Sequence, residues 1–192
     1  EGIRKNKDES LIKFDPKTTT FSPSALMTYA ECPKKYELSY IYKMPQRGDF
    51  DSDGTGAVVG SFVHEMCEIG VRDKYDSYEK FAELAKKNIR GDYEKVNLDD
   101  ALALLKIFWE RNKIKLKGKS EVELELIVEF DGFKFYGLAD RVDTLGDGTI
   151  EIIDYKTNKS AIDSKKRRIQ LGFYALALID QGYKVSKLTL DM

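Results

Sequence analysis

The sequence predicts an α/β domain on a mixed β-sheet, with a helical half preceding the sheet. Three observations carry that prediction. Apolar residues recur at helical spacing through much of residues 21–117. From residue 121 the period changes to alternation, with Gly-containing turns between the strands. A long helical stretch then precedes a last strand, and a crossover of that length sets a strand parallel to an earlier one.

In chain order, Glu1 to Thr20 is polar, contains Pro16 and reads as a tail or linker; residues 21–192 read as one domain, helical over about 21–117 and sheet-forming over about 118–192. Ser22-Pro23 is a helix start, with Ser22 as N-cap and Pro23 at the first helical position. Pro33 restarts a short helix, Lys34 to Tyr42, that carries Tyr36, Tyr40 and Tyr42. Gly48 to Gly56 reads as a loop. In the helix Ala57 to Tyr75, Val59, Phe62, Val63, Met66, Cys67 and Val71 fall at helical spacing. Two amphipathic helices follow, Ser77 to Arg90 and Leu98 to Leu116. The second has Asp99 and Asp100 in its first turn, where the helix dipole favours negative charge.

Val122, Leu124, Leu126, Val128 and Phe130 alternate with Glu121, Glu123, Glu125 and Glu129, with Ile127 out of pattern, so this is a strand with one buried face. Asp131-Gly132 turns it into a return strand, Phe133 to Leu145. A third strand, Thr149 to Thr157, is apolar enough to be central. The helix Ser164 to Gln181 ends at Gly182, and the last strand is Lys184 to Asp191.

The composition excludes several classes. A chain of 192 residues with 42% hydrophobic and 11% aromatic residues suits one folded domain with a sizeable core. It has no apolar run of membrane-spanning length and no apolar signal segment after its charged start. Two cysteines, Cys32 and Cys67, build neither a disulfide framework nor a four-cysteine cluster, and a reducing cytoplasm is the expected setting. With 32 basic and 33 acidic side chains the net charge is −1, which argues against a purely electrostatic nucleic-acid binder. The chain opens on Glu1 rather than Met, so an excised or processed piece is expected.

Chemistry concentrates on the third strand. Asp154 and Lys156 share a face with Ile150 and Ile152 near the strand's C-terminal end. Charges on the apolar face of a central strand are costly unless something holds them. Pairing around the Gly146 turn brings Asp140 towards Asp154, and a divalent cation relieves the repulsion of two such carboxylates. Taken alone, Asp-x-Lys is a common triplet that reads as an ion pair at a strand end; the approach of Asp140 raises it to a candidate site. Gln170 and Tyr174 stand one turn apart on the following helix, with Arg167 on the same side, next to Lys165, Lys166 and Arg168. The one histidine, His64, lies on an apolar helix and lacks the second histidine of a two-histidine zinc-protease helix, so that class of hydrolase is excluded.

The run Gly137-Leu-Ala-Asp-Arg-Val-Asp143, then Asp154-Tyr-Lys-Thr157, then Gln170-x-x-x-Tyr174, resembles the PD-(D/E)xK nuclease superfamily and, within it, the RecB-like branch. Ser22-Pro-Ser-Ala-Leu26 with Glu31-Cys-Pro33 and Tyr36 resembles that branch's N-terminal helical motif, and Gly60-Ser-Phe-Val-His64 its histidine motif. The resemblance implies a restriction-endonuclease-like αβββαβ core, which agrees with the element order above. It also implies Mg²⁺ or Mn²⁺ held by Asp140, Asp154, His64 and the Tyr155 carbonyl. Lys156 would sit beside the scissile phosphate, with Gln170, Tyr174 and Arg167 bracing the site or contacting the strand. Glu123 or Glu125 is a candidate further acid, though solvated strand residues are the stronger reading of both. Some RecB-like nucleases carry an iron-sulfur cluster. Cys32 matches its first position and Cys67 matches none of the others, so no cluster is expected in this chain.

The implied activity is hydrolysis of DNA phosphodiester bonds, with single strands or DNA ends as substrate, in repair, recombination or defence. Two alternatives stand beside it. One is a module that grips DNA ends without cutting. The other is the nuclease domain of a larger helicase-nuclease, whose motor would lie outside this chain because no Gly-x-x-x-x-Gly-Lys loop is present.

Overall fold

The computed structural model describes residues 14–44, 55–113, 118–157 and 164–191, without the side chains of residues 55 and 164–167. The expected loop Gly48 to Gly56 lies largely outside the described residues.

The segment expected as a tail is mostly exposed where it is described but makes contacts with the sheet. Lys17 sits 4.0 Å over the Phe133 ring, and Thr20–Phe21 forms a short strand, β1. Helix α1, Pro23–Glu31, begins as expected: Ser22 accepts the Ala25 N–H and Pro23 follows it. Cys32, in extended conformation, ends α1 and caps α2, Pro33–Tyr36, its sulfur accepting the Lys35 N–H. The expected single helix to Tyr42 instead widens into a π-turn at Glu37–Ile41.

Helix α3 is Thr55–Arg72, shorter at its C-terminal end than predicted because Lys74 turns left-handed at φ 51°. Helix α4, Tyr78–Asn88, is capped by Ser77. Helix α5, Leu98–Asn112, is capped by Asn97, which accepts the N–H groups of Asp99 and Asp100. Among the described residues, no helix is long and apolar enough to cross a membrane.

Strand β2, Lys119–Phe130, and strand β3, Phe133–Thr144, form the expected hairpin, with positive φ at both Asp131 (51°) and Gly132 (72°). Strand β4 is Ile150–Tyr155, helix α6 is Ser164–Asp180 and strand β5 is Val185–Asp191. β2 pairs antiparallel along β3, β4 pairs antiparallel with the end of β3, and β5 lies parallel to β4. The result is an α/β fold with a mixed sheet of the restriction-endonuclease-like kind. β1 is an addition: it runs parallel to the start of β3 at Lys134 and Phe135. Since β2 covers one edge of β3 throughout, β1 and β4 share the other edge, one at each end.

Both faces of the sheet are covered at β4, which is why every residue of that strand is buried. On one face, Ile153 and Tyr155 pack against Phe62 and Met66 of α3, Phe81 of α4 and Leu105 of α5. On the other, Ile150 and Ile152 pack with Leu126, Ala139 and Val142 against Leu171, Tyr174 and Leu178 of α6.

A polar network crosses the first of these layers. Arg141 is fully buried, and its guanidinium forks onto Asp143 at 2.6 and 2.7 Å. It also donates to the Asn112 amide oxygen at 3.0 Å, and Asn112 donates on to Asp191 of β5 at 2.8 Å. Ser120 of β2 donates to Asp143 at 2.6 Å. Arg141→Ala strands the buried Asp143 carboxylate, so the expected loss is about 3–5 kcal/mol, read as a lower urea midpoint.

Candidate active site

The β3–β4 ladder sets Arg141 against Ile153 and Val142 against Ile152, and just past its end the Asp154 charge acts on the Asp140 carboxyl. The hairpin therefore does bring the two carboxylates together. At that point β4 ends, and the Tyr155 N–H donates to Asp140 Oδ2 at 2.7 Å. His64, from α3, stands with Nδ1 3.7 Å from the same oxygen. Its ring meets the Tyr155 ring edge-on at 6.0 Å.

Two glycines permit these approaches. A Cβ at Gly60 would lie 3.0 Å from Thr157 Oγ1, so Gly60 lets α3 come against the end of β4, one turn before His64. A Cβ at Gly137 would lie 2.6 Å from the Tyr174 ring, so Gly137 lets α6 settle on β3.

Asp154 is 1% exposed. Gln170 donates its amide N–H groups to Asp154 Oδ1 at 3.2 Å and to the Tyr174 hydroxyl at 2.9 Å. The Lys156 ammonium lies 2.6 Å from Asp154 Oδ2. That contact is close but misaligned for a hydrogen bond, so the buried Oδ2 has a countercharge and no properly directed donor. Tyr174 is buried, which suits a brace and leaves it no face for a substrate strand. Burial first, then the charges of Asp154 and Asp140, push its hydroxyl up to about 12 against the opposing Gln170 bond. The side chain of Arg167 lies outside the described residues.

Beside the carboxylates opens a cavity of about 780 Å³, lined by His64, Glu68, Arg72, Glu123, Asp140 and Thr157 among others. Glu123 takes the place that Glu125 does not, because Glu125 stays exposed. The backbone of Glu123 is left-handed at φ 48°, and burial, then Asp140, then Glu68, raise its carboxyl above the usual range. Glu68 and Arg72 were not singled out by sequence reasoning. Their signal was there, since they follow His64 at one and two helical turns. Among the described residues, no three His, Cys, Asp or Glu side chains yet converge tightly enough to enclose a cation.

The chain matches the PD-(D/E)XK nuclease superfamily over residues 20–190 and belongs to it. It carries a nuclease-type domain. Among similar proteins are the ATP-dependent helicase/deoxyribonuclease subunits B of three bacteria. That of Streptococcus agalactiae is 25% identical over 161 residues, covering 76% of this chain and 15% of the relative. The Streptococcus mutans protein is 27% identical over 161 residues, covering 76% and 14%. The Clostridium perfringens protein is 24% identical over 228 aligned positions, covering 95% and 19%. The chain thus spans less than a fifth of the length of these relatives.

Burial, followed by the Asp154 charge, raises the Asp140 carboxyl above its ordinary value, outweighing His64, the Tyr155 N–H and Lys156. The folded state therefore holds this proton more tightly than the unfolded chain. Stability falls as pH rises from the ordinary carboxylate range through the folded pKa. Asp140→Asn removes that penalty. In chelator, its melting temperature at neutral pH is expected to exceed the parent's, with the gap closing as pH drops below the ordinary carboxylate range.

Proposed function

We propose that this chain is a divalent-cation-dependent deoxyribonuclease domain that hydrolyses DNA phosphodiester bonds, working from strand ends as an exonuclease in repair, recombination or defence. The observation that supports it best is the buried Asp154 Oδ2, which has no aligned donor while the Asp154 charge also acts on Asp140. Two adjacent buried carboxylates without enough donors form a site that a hard cation stabilises.

The residues fit Mg²⁺ or Mn²⁺: Asp140 and Asp154 offer carboxylate oxygens, Tyr155 its carbonyl and His64 an imidazole. When bound, such a cation neutralises the phosphate and acidifies a coordinated water. The protein's own groups do the positioning. The Tyr155 N–H holds one oxygen of Asp140, and Gln170 holds Oδ1 of Asp154. Lys156 holds a positive charge at Asp154, on a flexible stem that can turn to the phosphate as charge grows on its oxygens. Tyr174 keeps Gln170 in place from inside the α6 layer.

The setting proposed for the chain is the one its relatives' names give, a nuclease part working beside a helicase, and the proposed location is the cytoplasm. Cleavage of end-labelled linear DNA and of closed circles, with Mg²⁺, Mn²⁺ or chelator, tests the activity and the need for ends. Asp154→Asn and Lys156→Ala are each expected to lower the rate by about 10²–10³-fold. Chelator is expected to abolish cleavage. Tight binding of DNA ends with no cleavage under any divalent cation would replace this reading with that of an end-gripping module.

A further inference from the structure

Tyrosines of the second helical segment take no part in the site described so far. Tyr36 is buried at the centre of a ring cluster. Phe14 and Tyr29 meet it edge-on, and Tyr40 stacks on it at 5.2 Å with only 17° between the ring planes. Tyr29, Tyr40 and Tyr42 remain 55%, 40% and 50% exposed, and Leu38 and Met44 beside them are exposed too. Exposed rings grouped on a buried one, as Tyr29 and Tyr40 are on Tyr36, mark an interaction surface where a lone exposed ring does not.

Tyr40 opens onto a second cavity, of about 610 Å³, whose walls include Phe21 of β1, Lys43 and Tyr136 of β3. Tyr136 ties that cavity to the candidate active site. Gly137 faces α6, so Tyr136 and Leu138 face away from it, and Asp140 beyond them stands beside His64 of α3. At the rise of a β-strand, roughly 13 Å separates Tyr136 from Asp140. That is about four nucleotides at duplex rise and fewer for an extended strand. The face between them is open: Ile127, directly across from Tyr136, is 63% exposed.

We propose that Tyr40, stacked on Tyr36, is a platform for the bases of an unpaired DNA strand that runs along the open face of β3 to the candidate active site. The proposal rests on the nuclease reading above and names its substrate as single-stranded. Stacking on a side chain requires exposed base faces, which a duplex hides. Phosphates on this path meet Lys43 in the cavity wall and the exposed Lys134, whose β1 partner Thr20 also lines the cavity. The acid in the cavity wall, Asp15, has one carboxylate oxygen taken by the Lys17 N–H. Glu125 and Glu129 border the track on β2. The opposing charges leave stacking as the larger contribution.

The test measures binding apart from cleavage, by fluorescence anisotropy of a labelled thymidine dodecamer in chelator. Tyr40→Ala is expected to weaken binding about tenfold. Tyr40→Phe should retain it, because the ring and not the hydroxyl does the stacking. Neither change should alter affinity for a blunt duplex or a dinucleotide. In Tyr40→Trp, the new indole should be quenched on adding the dodecamer, a readout that stands even if Tyr40→Ala disturbs the fold. Unchanged dodecamer affinity in Tyr40→Ala, equal weakening for the duplex, or an unquenched indole in Tyr40→Trp overturns the platform; the patch would then read as a protein contact. Cleavage assayed separately keeps the two readings apart. Tyrosine-dependent strand binding without cleavage removes the nuclease reading alone, and cleavage without tyrosine dependence removes the platform alone.

Discussion

The fully buried guanidinium of Arg141 constrains more of this fold than any apolar contact does. A cation out of water must be met on every side or its desolvation cost dominates. Here Asp143 takes the fork, and Asn112 takes another N–H and passes the connection to Asp191. These partners come from β3, α5 and β5, with β2 joined through Ser120. The sheet and the helical half are thus joined by directional bonds that allow one arrangement, whereas apolar packing alone would tolerate several. Arg141 immediately follows Asp140 in β3, so the network that orients α5 also holds the strand carrying the first acid.

That rigidity has a use at the next residue. Asp140 and Asp154 are held where they repel each other and where water screens them poorly, and Asp140 is harder to ionise as a result. A looser fold would relax the pair apart. The glycines at 60 and 137 belong to the same account, since a Cβ at 137 would run into the Tyr174 and Phe173 rings and one at 60 would press on Thr157 Oγ1. The candidate site is therefore strained electrostatically and supported sterically.

The shared edge of β3 gives the site its access. Because β1 takes only the start of that edge and β4 only the end, the stretch between them has no pairing strand there among the described residues. On the face turned away from α6, the sheet is covered near β4 by α3 and α5 but stays open near Tyr136 and Ile127. Ile127 broke the alternation of β2 in the sequence, and its exposure on this face is the structural counterpart.

The sequence by itself determined the elements and their order. Helical and alternating periods are local properties, as are the Ser22 cap and the Asp131-Gly132 turn, and each appears in the structure with shifts of a few residues. It also determined that Asp140 and Asp154 would meet, because a short hairpin leaves little freedom of register. What only the tertiary structure decided depends on where the helices lie. The choice of Glu123 over Glu125 turns on a left-handed backbone that alternation does not encode. Tyr174 becomes a brace because α6 buries it, and Glu68 and Arg72 line the cavity because α3 crosses the end of β4. The strand β1 was read as tail, since two residues are too few to show a period and gain their pairing only from β3. Long-range packing sets all of these, and the spacing of residues along the chain carries no record of it.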